Sequence, residues 1–262
     1  MTVDSTIVLG PPHFVQPIAV AAGSLGRLFV ADAGQGSILR LDAHGRILFE
    51  FEPPSDQARL QPLDLELTGF QVYVLDQLAR ATLRYSDQGA YLDLLQSFDT
   101  AEMPRALAVD GTGRVVLAIP AQHQIRVLDE SQRDESVFGG FGSRPGQLVR
   151  PSGVACTARG AIWVADTGNR RLQRFAAVGN FERATSDSLR APRGIAVGTA
   201  GDVLVADSER RSVHLFDPTG AHRAWCSLAP ATPLDVATQG DTLWVLCAEP
   251  NALVRMRVLR ED

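Results

Sequence analysis

RGAIWVADTGNRRLQRF, residues Arg159 to Phe175, contains two apolar runs separated by a polar turn. The first run, Ala161–Ala165, is apolar throughout, and the second, Arg171–Phe175, alternates polar and apolar side chains. A short uninterrupted apolar run is typical of a strand buried on both faces, and alternation is typical of a strand with one wetter face. The stretch therefore predicts a strand, a turn and a second strand.

The same pattern recurs six times along the chain. In each copy a proline is followed by an apolar run, a Gly-containing or polar turn, a second apolar run, another polar turn and an alternating run. The six repeat prolines are Pro17, Pro62, Pro104, Pro151, Pro192 and Pro233. Their spacings of 45, 42, 47, 41 and 41 residues are typical of a solenoid or a propeller. The copies begin near residues 16, 61, 103, 150, 191 and 232, and we expect them to form a single domain over 1–262.

Each of the first five copies carries four strand signals, the first two apolar on both faces and the last two alternating. Radial repetition of such four-stranded antiparallel sheets predicts an all-β fold, a six-bladed β-propeller. The sixth copy supplies three strands, near Leu234–Ala237, Thr242–Cys247 and Ala252–Val258. We expect Ser5–Leu9 to close the ring as the outermost strand of the last blade, because that removes an exposed sheet edge.

The fourth copy carries the pattern P-x-G-[IV]-A followed by G-x-[IL]-[WLY]-V-A-D-[ST]-x-N-x-R-[LIV], which resembles the NHL repeat. The matching residues are Pro151, Gly153, Val154, Ala155, Gly160, Ile162, Val164, Ala165, Asp166, Thr167, Gly168, Asn169, Arg171 and Leu172. The resemblance implies a six-bladed propeller but no single activity. Similar propellers serve as protein-binding modules, RNA-binding modules, sensor domains of bacterial receptors or metal-dependent enzymes, so function must be argued from individual residues.

Charge and composition exclude several function classes. The formal net charge is −5, which disfavours attraction of nucleic acid or an anionic membrane to the whole surface. All 25 basic residues are arginine, so Schiff-base catalysis, a lysine general base and a P-loop lysine are excluded.

Three cysteines and the N-terminal segment bear on the compartment. Cys156, Cys226 and Cys247 show neither C-x-x-C spacing nor the even number of a disulfide framework. No apolar run approaches the roughly 18 residues of a membrane span, and MTVDSTIVLG shows no signal peptide. We expect a soluble chain, cytoplasmic or exported with a trimmed leader, and no cofactor.

The turn in the quoted stretch has a structural interpretation. Asp166 is expected to accept hydrogen bonds from nearby backbone N–H groups, and Gly168 and Asn169 to adopt positive φ. The same aspartate recurs in three other copies, as Asp32, Asp76 and Asp207. A residue repeated once per blade is expected to serve the blade.

Arginines gather on the predicted turns and links of the fourth and fifth copies. The candidate partner-binding residues are Arg170, Arg171, Arg190, Arg193, Arg210 and Arg211, with Arg144 and Arg150 on the preceding link. Arginine forks suit carboxylates and phosphates, which predicts docking of an acidic protein or peptide. The alternative is a solvated rim partly neutralised by acidic neighbours, namely Asp166, Asp187, Asp207 and Glu209.

Residues that follow the repeat prolines should line the mouth of a central channel. They include Asp64, Arg105, Arg193 and Asp235. Two interpretations stay open: the charges pair structurally, or they hold a ligand or metal, as in a metal-dependent hydrolase or lyase. No metal ligand set is predicted.

The histidines provide no catalytic residue, because none follows a repeat proline. They are His13, His44, His123, His214 and His222. Trp163 and Trp244 fall on predicted second strands and are expected in the core, so nucleic-acid stacking is disfavoured. The sequence therefore favours a non-catalytic binding or scaffolding module with a protein partner.

Overall fold

The computed structural model describes residues 2–9, 14–185 and 188–259. In this part of the chain the strands form six four-stranded sheets, and each strand is antiparallel to its neighbours. The predicted all-β, six-bladed propeller is confirmed. Blades one to six are numbered here in the chain order of their innermost strands.

The two inner strands of each blade carry most of the apolar sequence. The innermost strands are β2 (Pro17–Gly23), β6 (Pro62–Thr68), β10 (Ala106–Val109), β14 (Gly153–Cys156), β18 (Pro192–Val197) and β22 (Thr232–Gln239). The second strands are β3 (Arg27–Asp32), β7 (Gln71–Asp76), β11 (Val115–Ile119), β15 (Ile162–Asp166), β19 (Val203–Asp207) and β23 (Thr242–Ala248). Repeat prolines stand at or just before the innermost strands, at an edge of the sheet where a missing N–H breaks no ladder.

The two outer strands of each blade lie nearer the solvent. The third strands are β4 (Ser37–Leu41), β8 (Ala81–Ser86), β12 (Gln124–Leu128), β16 (Arg171–Phe175), β20 (Ser212–Phe216) and β24 (Ala252–Leu259). The fourth strands are β5 (Ile47–Glu50), β9 (Tyr91–Ser97), β13 (Asp134–Gly139), β17 (Phe181–Ala184), β21 (His222–Ser227) and β1 (Thr2–Leu9). Single 3-10 turns cover Thr100–Glu102 and Thr167–Asn169.

The hydrophobic core lies between the blades. Six clusters of buried side chains each join two neighbouring blades around the ring in the described residues. Between blades one and two, for example, Phe29 packs near Tyr85 and both are fully buried. Trp163 is equally buried between blades four and five. Because each β-sheet has two faces to cover, the ring buries both without a second layer.

One strand departs from the expected alternation. β20 is buried along its whole length, and its polar members Ser212 and His214 satisfy each other through a 2.9 Å contact between Oγ and Nε2. The Nδ1 of His214 lies 3.0 Å from Nε2 of His222, the first residue of the fourth strand. The hydrogen bonds among Ser212, His214 and His222 allow the polar side chains of β20 to be buried, where the sequence predicts a face in contact with water.

The innermost strands form a ring, each in contact with the strands before and after it, and β22 contacts β2. β1 lies antiparallel to β24, with Ile7 opposite Arg255 and Leu9 opposite Leu253. The antiparallel order within blades sends the turns between second and third strands, and the links between blades, to one side, named here the upper face. The other turns form the lower face.

Candidate functional site

The recurring aspartates at the ends of the second strands are structural ties. All four are fully buried: Asp32, Asp76, Asp166 and Asp207. The carboxylate of Asp207 accepts the backbone N–H of Arg190 at 2.6 Å, of Ala191 at 3.0 Å and of Arg210 at 3.0 Å. Each aspartate thereby joins the link entering its blade to the turn between the second and third strands. The carboxylates are committed to backbone donors that would otherwise be unsatisfied.

The turn of blade four follows this plan with additional side chains. Asp166 accepts the backbone N–H of Val149 at 2.7 Å and the Nε–H of Arg171 at 2.9 Å. A Cβ on Gly168 would lie 2.6 Å from the carbonyl oxygen of Val149, so the glycine is required by a close approach of the link. The expected positive φ at Gly168 and Asn169 is wrong, because the left-handed residue is Arg170 with φ of 58°.

The same backbone position is left-handed in five of the described blades. The residues that precede the third strands with positive φ are Gly36, Arg80, His123, Arg170 and Arg211. A side-chain-bearing residue in this conformation costs free energy relative to glycine. Three blades nevertheless carry arginine there, on the upper face.

The predicted partner-binding arginines do not all remain available. Besides its ion pair with Asp166, Arg171 donates to the carbonyl oxygens of Arg144 at 3.1 Å and Gln147 at 3.0 Å, so it is half-buried and engaged within the blade. The other five candidates are exposed, namely Arg170, Arg190, Arg193, Arg210 and Arg211. Arg105 and Arg150 are also exposed on the upper face. Of the acidic neighbours considered above, Asp187 lies outside the described residues.

These seven exposed residues share one face and are named here the arginine face: Arg105, Arg150, Arg170, Arg190, Arg193, Arg210 and Arg211. Within the described residues none of their guanidinium groups makes a hydrogen bond or an ion pair. By contrast, lower-face arginines pair in the i,i+4 arrangement, such as Arg46 with Asp42 at 2.7 Å. These guanidinium groups therefore make no direct pairing with the part of the chain that the structure describes.

The central channel opens on the same face as a cavity of about 890 Å³. Arg105, Arg150 and Arg193 lie among its lining residues, as do three acids, Asp64, Glu66 and Asp235. Glu66 was not identified from the sequence. It could have been found, because it lies two residues after Asp64 on the same innermost strand and so points to the same side of that strand.

Asp64 and Asp235 tie neighbouring innermost strands together. Asp64 accepts the backbone N–H of Leu107 in blade three at 2.7 Å, and Asp235 accepts that of Val20 in blade one at 2.8 Å. Burial raises the pKa of Asp64 well above its ordinary value, with the Asp235 carboxyl adding to the effect. Burial also raises the pKa of Asp235 to about 7. Both carboxylates are thus held by backbone donors, and neither forms an ion pair with an arginine of the described residues.

Within the described residues no group of three or more His, Cys, Asp or Glu side chains is placed to hold a metal ion. His214 is buried in blade five, and His13 lies outside the described residues. No helix in the described ranges is long and apolar enough to cross a membrane.

A six-bladed β-propeller with charged groups around its channel is the class of protein that this fold and site define. Residues 148–175 match the family model of the NHL repeat, which confirms the resemblance of the fourth copy to that repeat.

Relatives resemble the chain over part of its length. Protein brain tumor from Drosophila melanogaster is 30% identical over 129 residues, which cover 47% of this chain and 12% of that protein. E3 ubiquitin-protein ligase NHLRC1 from Homo sapiens is 26% identical over 106 residues, which cover 40% of this chain and 27% of that protein. The chain thus spans less than a third of the length of these curated relatives.

Solved structures resemble the whole propeller. Virginiamycin B lyase from Staphylococcus aureus superposes with a TM-score of 0.76 at 12% identity, covering 97% of this chain and 99% of that chain. At this identity the likeness shows the shared fold and carries no activity with it.

Proposed function

We propose that the chain is a non-catalytic binding module whose arginine face docks a protein partner through an acidic surface or peptide. The observation that carries the proposal is the set of exposed guanidinium groups without partners on one face of a chain whose net charge is −5. An arginine fork matches a carboxylate through two parallel hydrogen bonds, so an acidic partner supplies what the protein lacks.

Backbone strain supports the same face. Arg170 and Arg211 occupy left-handed positions with φ of 58° and 51°, where blade one carries Gly36. Strained residues are retained where another requirement outweighs the cost. We infer that the requirement is the display of these two side chains toward a partner.

The apolar surroundings favour a protein over a nucleic acid. Phe141 is exposed on the upper-face link before blade four, and the exposed apolar side chains of other upper-face segments include the aliphatic Val15 and Leu78. Binding of single-stranded nucleic acid uses several aromatic platforms on which bases stack. Scattered aliphatic side chains on the same face as the arginines suit a protein surface better.

A labelled glutamate-rich peptide tests the proposal by fluorescence anisotropy. Arg170→Ala/Arg211→Ala should weaken binding between about twofold and thirtyfold, since each exposed pair contributes about 0.2–1 kcal/mol. Arg159→Ala is the matched control, because Arg159 is an exposed arginine of the same blade on the lower face.

Binding should also weaken with added salt, because exposed charges are screened. Equal binding by wild type and the double variant would refute the assigned surface. Tighter binding of a single-stranded oligonucleotide of equal charge would refute the assigned partner class.

A further inference from the structure

Glu66 stands alone among six equivalent positions. It is the fourth residue after its repeat proline, and the other five blades carry alanine there: Ala21, Ala108, Ala155, Ala196 and Ala237. Burying a carboxyl group costs free energy unless it is paired, whereas alanine costs nothing of the kind. The blade architecture therefore does not need Glu66, which sets it apart from the repeated aspartates.

The surroundings of Glu66 leave its carboxyl group without a compensating charge. The side chain is half-buried and lines the channel cavity. The other titratable groups that face it are Asp64, Asp235 and the Cys156 thiol, none of which is basic. Asp64 and Asp235 are each held by a backbone donor of the next blade, so they differ from Glu66 in being engaged across an interface.

The opposite charge lies at the mouth of the same cavity. Arg105 and Arg193 follow their repeat prolines directly, whereas Glu66 stands four residues after its own. Along the channel axis, Glu66 therefore lies deeper than the two arginines by three strand residues, or about 10 Å at the usual rise per residue. The cavity of about 890 Å³ connects the two levels and has room for a small organic molecule.

We propose that the channel binds a small zwitterionic molecule of the ω-amino acid class, whose ammonium group pairs with Glu66 and whose carboxylate pairs with Arg105 and Arg193 at the mouth. Each end of such a ligand meets a group that carries the opposite charge when ionised and that makes no ion pair within the described residues. This site goes beyond the docking function and does not depend on it.

Proton release gives the proposal a distinct signature. Burial, together with the Asp235 carboxyl, raises the pKa of Glu66 to about 8. At pH 7 the empty site therefore holds a proton that an incoming ammonium group displaces. Affinity should rise from pH 6 to pH 9, and the binding heat at pH 7 should differ between buffers of different ionisation enthalpy.

Isothermal titration calorimetry with 6-aminohexanoate tests the site, with β-alanine, 4-aminobutyrate and 8-aminooctanoate as a length series. One member should bind the wild type at one site per chain, and Glu66→Gln should weaken it about tenfold or more, the loss expected for a hydrogen bond to a charged group. Arg193→Ala should weaken the amino acid but not hexylamine, which lacks the carboxylate. Arg159→Ala should bind as the wild type does.

Folding controls separate loss of the site from loss of the structure. Glu66→Gln should unfold like the wild type near pH 4, below the unfolded pKa of glutamate, and be the more stable protein at pH 9, because the raised pKa makes ionisation of Glu66 unfavourable to folding. The proposal is overturned if no member of the series binds at millimolar concentration, if Glu66→Gln binds equally well, or if hexylamine binds as tightly as 6-aminohexanoate. The peptide experiment uses Arg170 and Arg211, which do not line the cavity, so failure of one proposal is distinguishable from failure of the other.

Discussion

Replacing Asp207 with alanine tests whether the recurring aspartate holds each blade to its link. Asp207 is fully buried at the end of β19 and accepts three backbone N–H groups, from Arg190, Ala191 and Arg210. Alanine removes all three acceptor contacts and leaves the turn and the link without a common partner. The link entering blade five should therefore loosen together with the turn.

The size of the loss follows from those contacts. A hydrogen bond to a charged group contributes about 1.5–3 kcal/mol, and the three donors are partly buried, so water replaces some of what is lost. We expect Asp207→Ala to reduce the free energy of unfolding by about 3–5 kcal/mol. Asp207→Asn keeps one acceptor oxygen and should lose less.

Urea unfolding, followed by circular dichroism and by fluorescence, measures this loss. Asp42→Ala is a useful comparison, because Asp42 makes similar backbone contacts in an exposed lower-face turn and its replacement should cost less. A loss below about 1 kcal/mol for Asp207→Ala would refute the reasoning, since that is the value of a single ordinary hydrogen bond.

Three further predictions address other parts of the propeller. Burial lowers the pKa of His214 to about 4, so the unfolded chain binds an extra proton between about pH 6.5 and pH 4. The free energy of unfolding should therefore decrease by about 3 kcal/mol as the pH falls from 6.5 to 4. For His214→Gln, the urea midpoint should depend less steeply on pH over this range. A Cβ on Gly194 would lie 2.1 Å from Oδ1 of Asp235, so Gly194→Ala should lower the melting temperature. Gly111→Ala is the control and should leave the melting temperature unchanged, because a Cβ there meets no described atom within 4 Å. Removal of residues 2–9 should expose the edge of β24, lower stability and promote self-association in light scattering. An unchanged stability and an unchanged particle size would count against β1 as part of the last blade.

The sequence predicts the propeller because the fold repeats. Six prolines at spacings of 41 to 47 residues mark six innermost strands, and apolar runs next to turn residues mark the strands that follow. Hydrophobic periodicity depends on local chain geometry, so it is visible without coordinates. The structural role of Asp166 could be predicted for the same reason, since its recurrence in four of the six blades indicates that it serves the blade.

The state of the individual arginines could not be predicted in this way. Arg170 and Arg171 are adjacent and chemically identical, yet Arg170 is exposed in a left-handed conformation and Arg171 is held by Asp166 and two carbonyl oxygens of the preceding link. The difference depends on where that link crosses the turn. Contacts between segments some 25 residues apart do not appear in the local sequence pattern.

Glu66 shows how a repeat protein can reveal a functional residue without an alignment. The six blades are six independent solutions of one packing problem, so a side chain found in most of them, such as the turn aspartate, reports what a blade needs. A side chain found once, where five blades use alanine, reports something the blade does not need. When that side chain is also a half-buried carboxyl group beside a cavity, its cost to folding must be offset by a gain elsewhere. A ligand that carries a positive charge into the channel provides that gain, and it accounts for a residue that the packing of the propeller leaves unexplained.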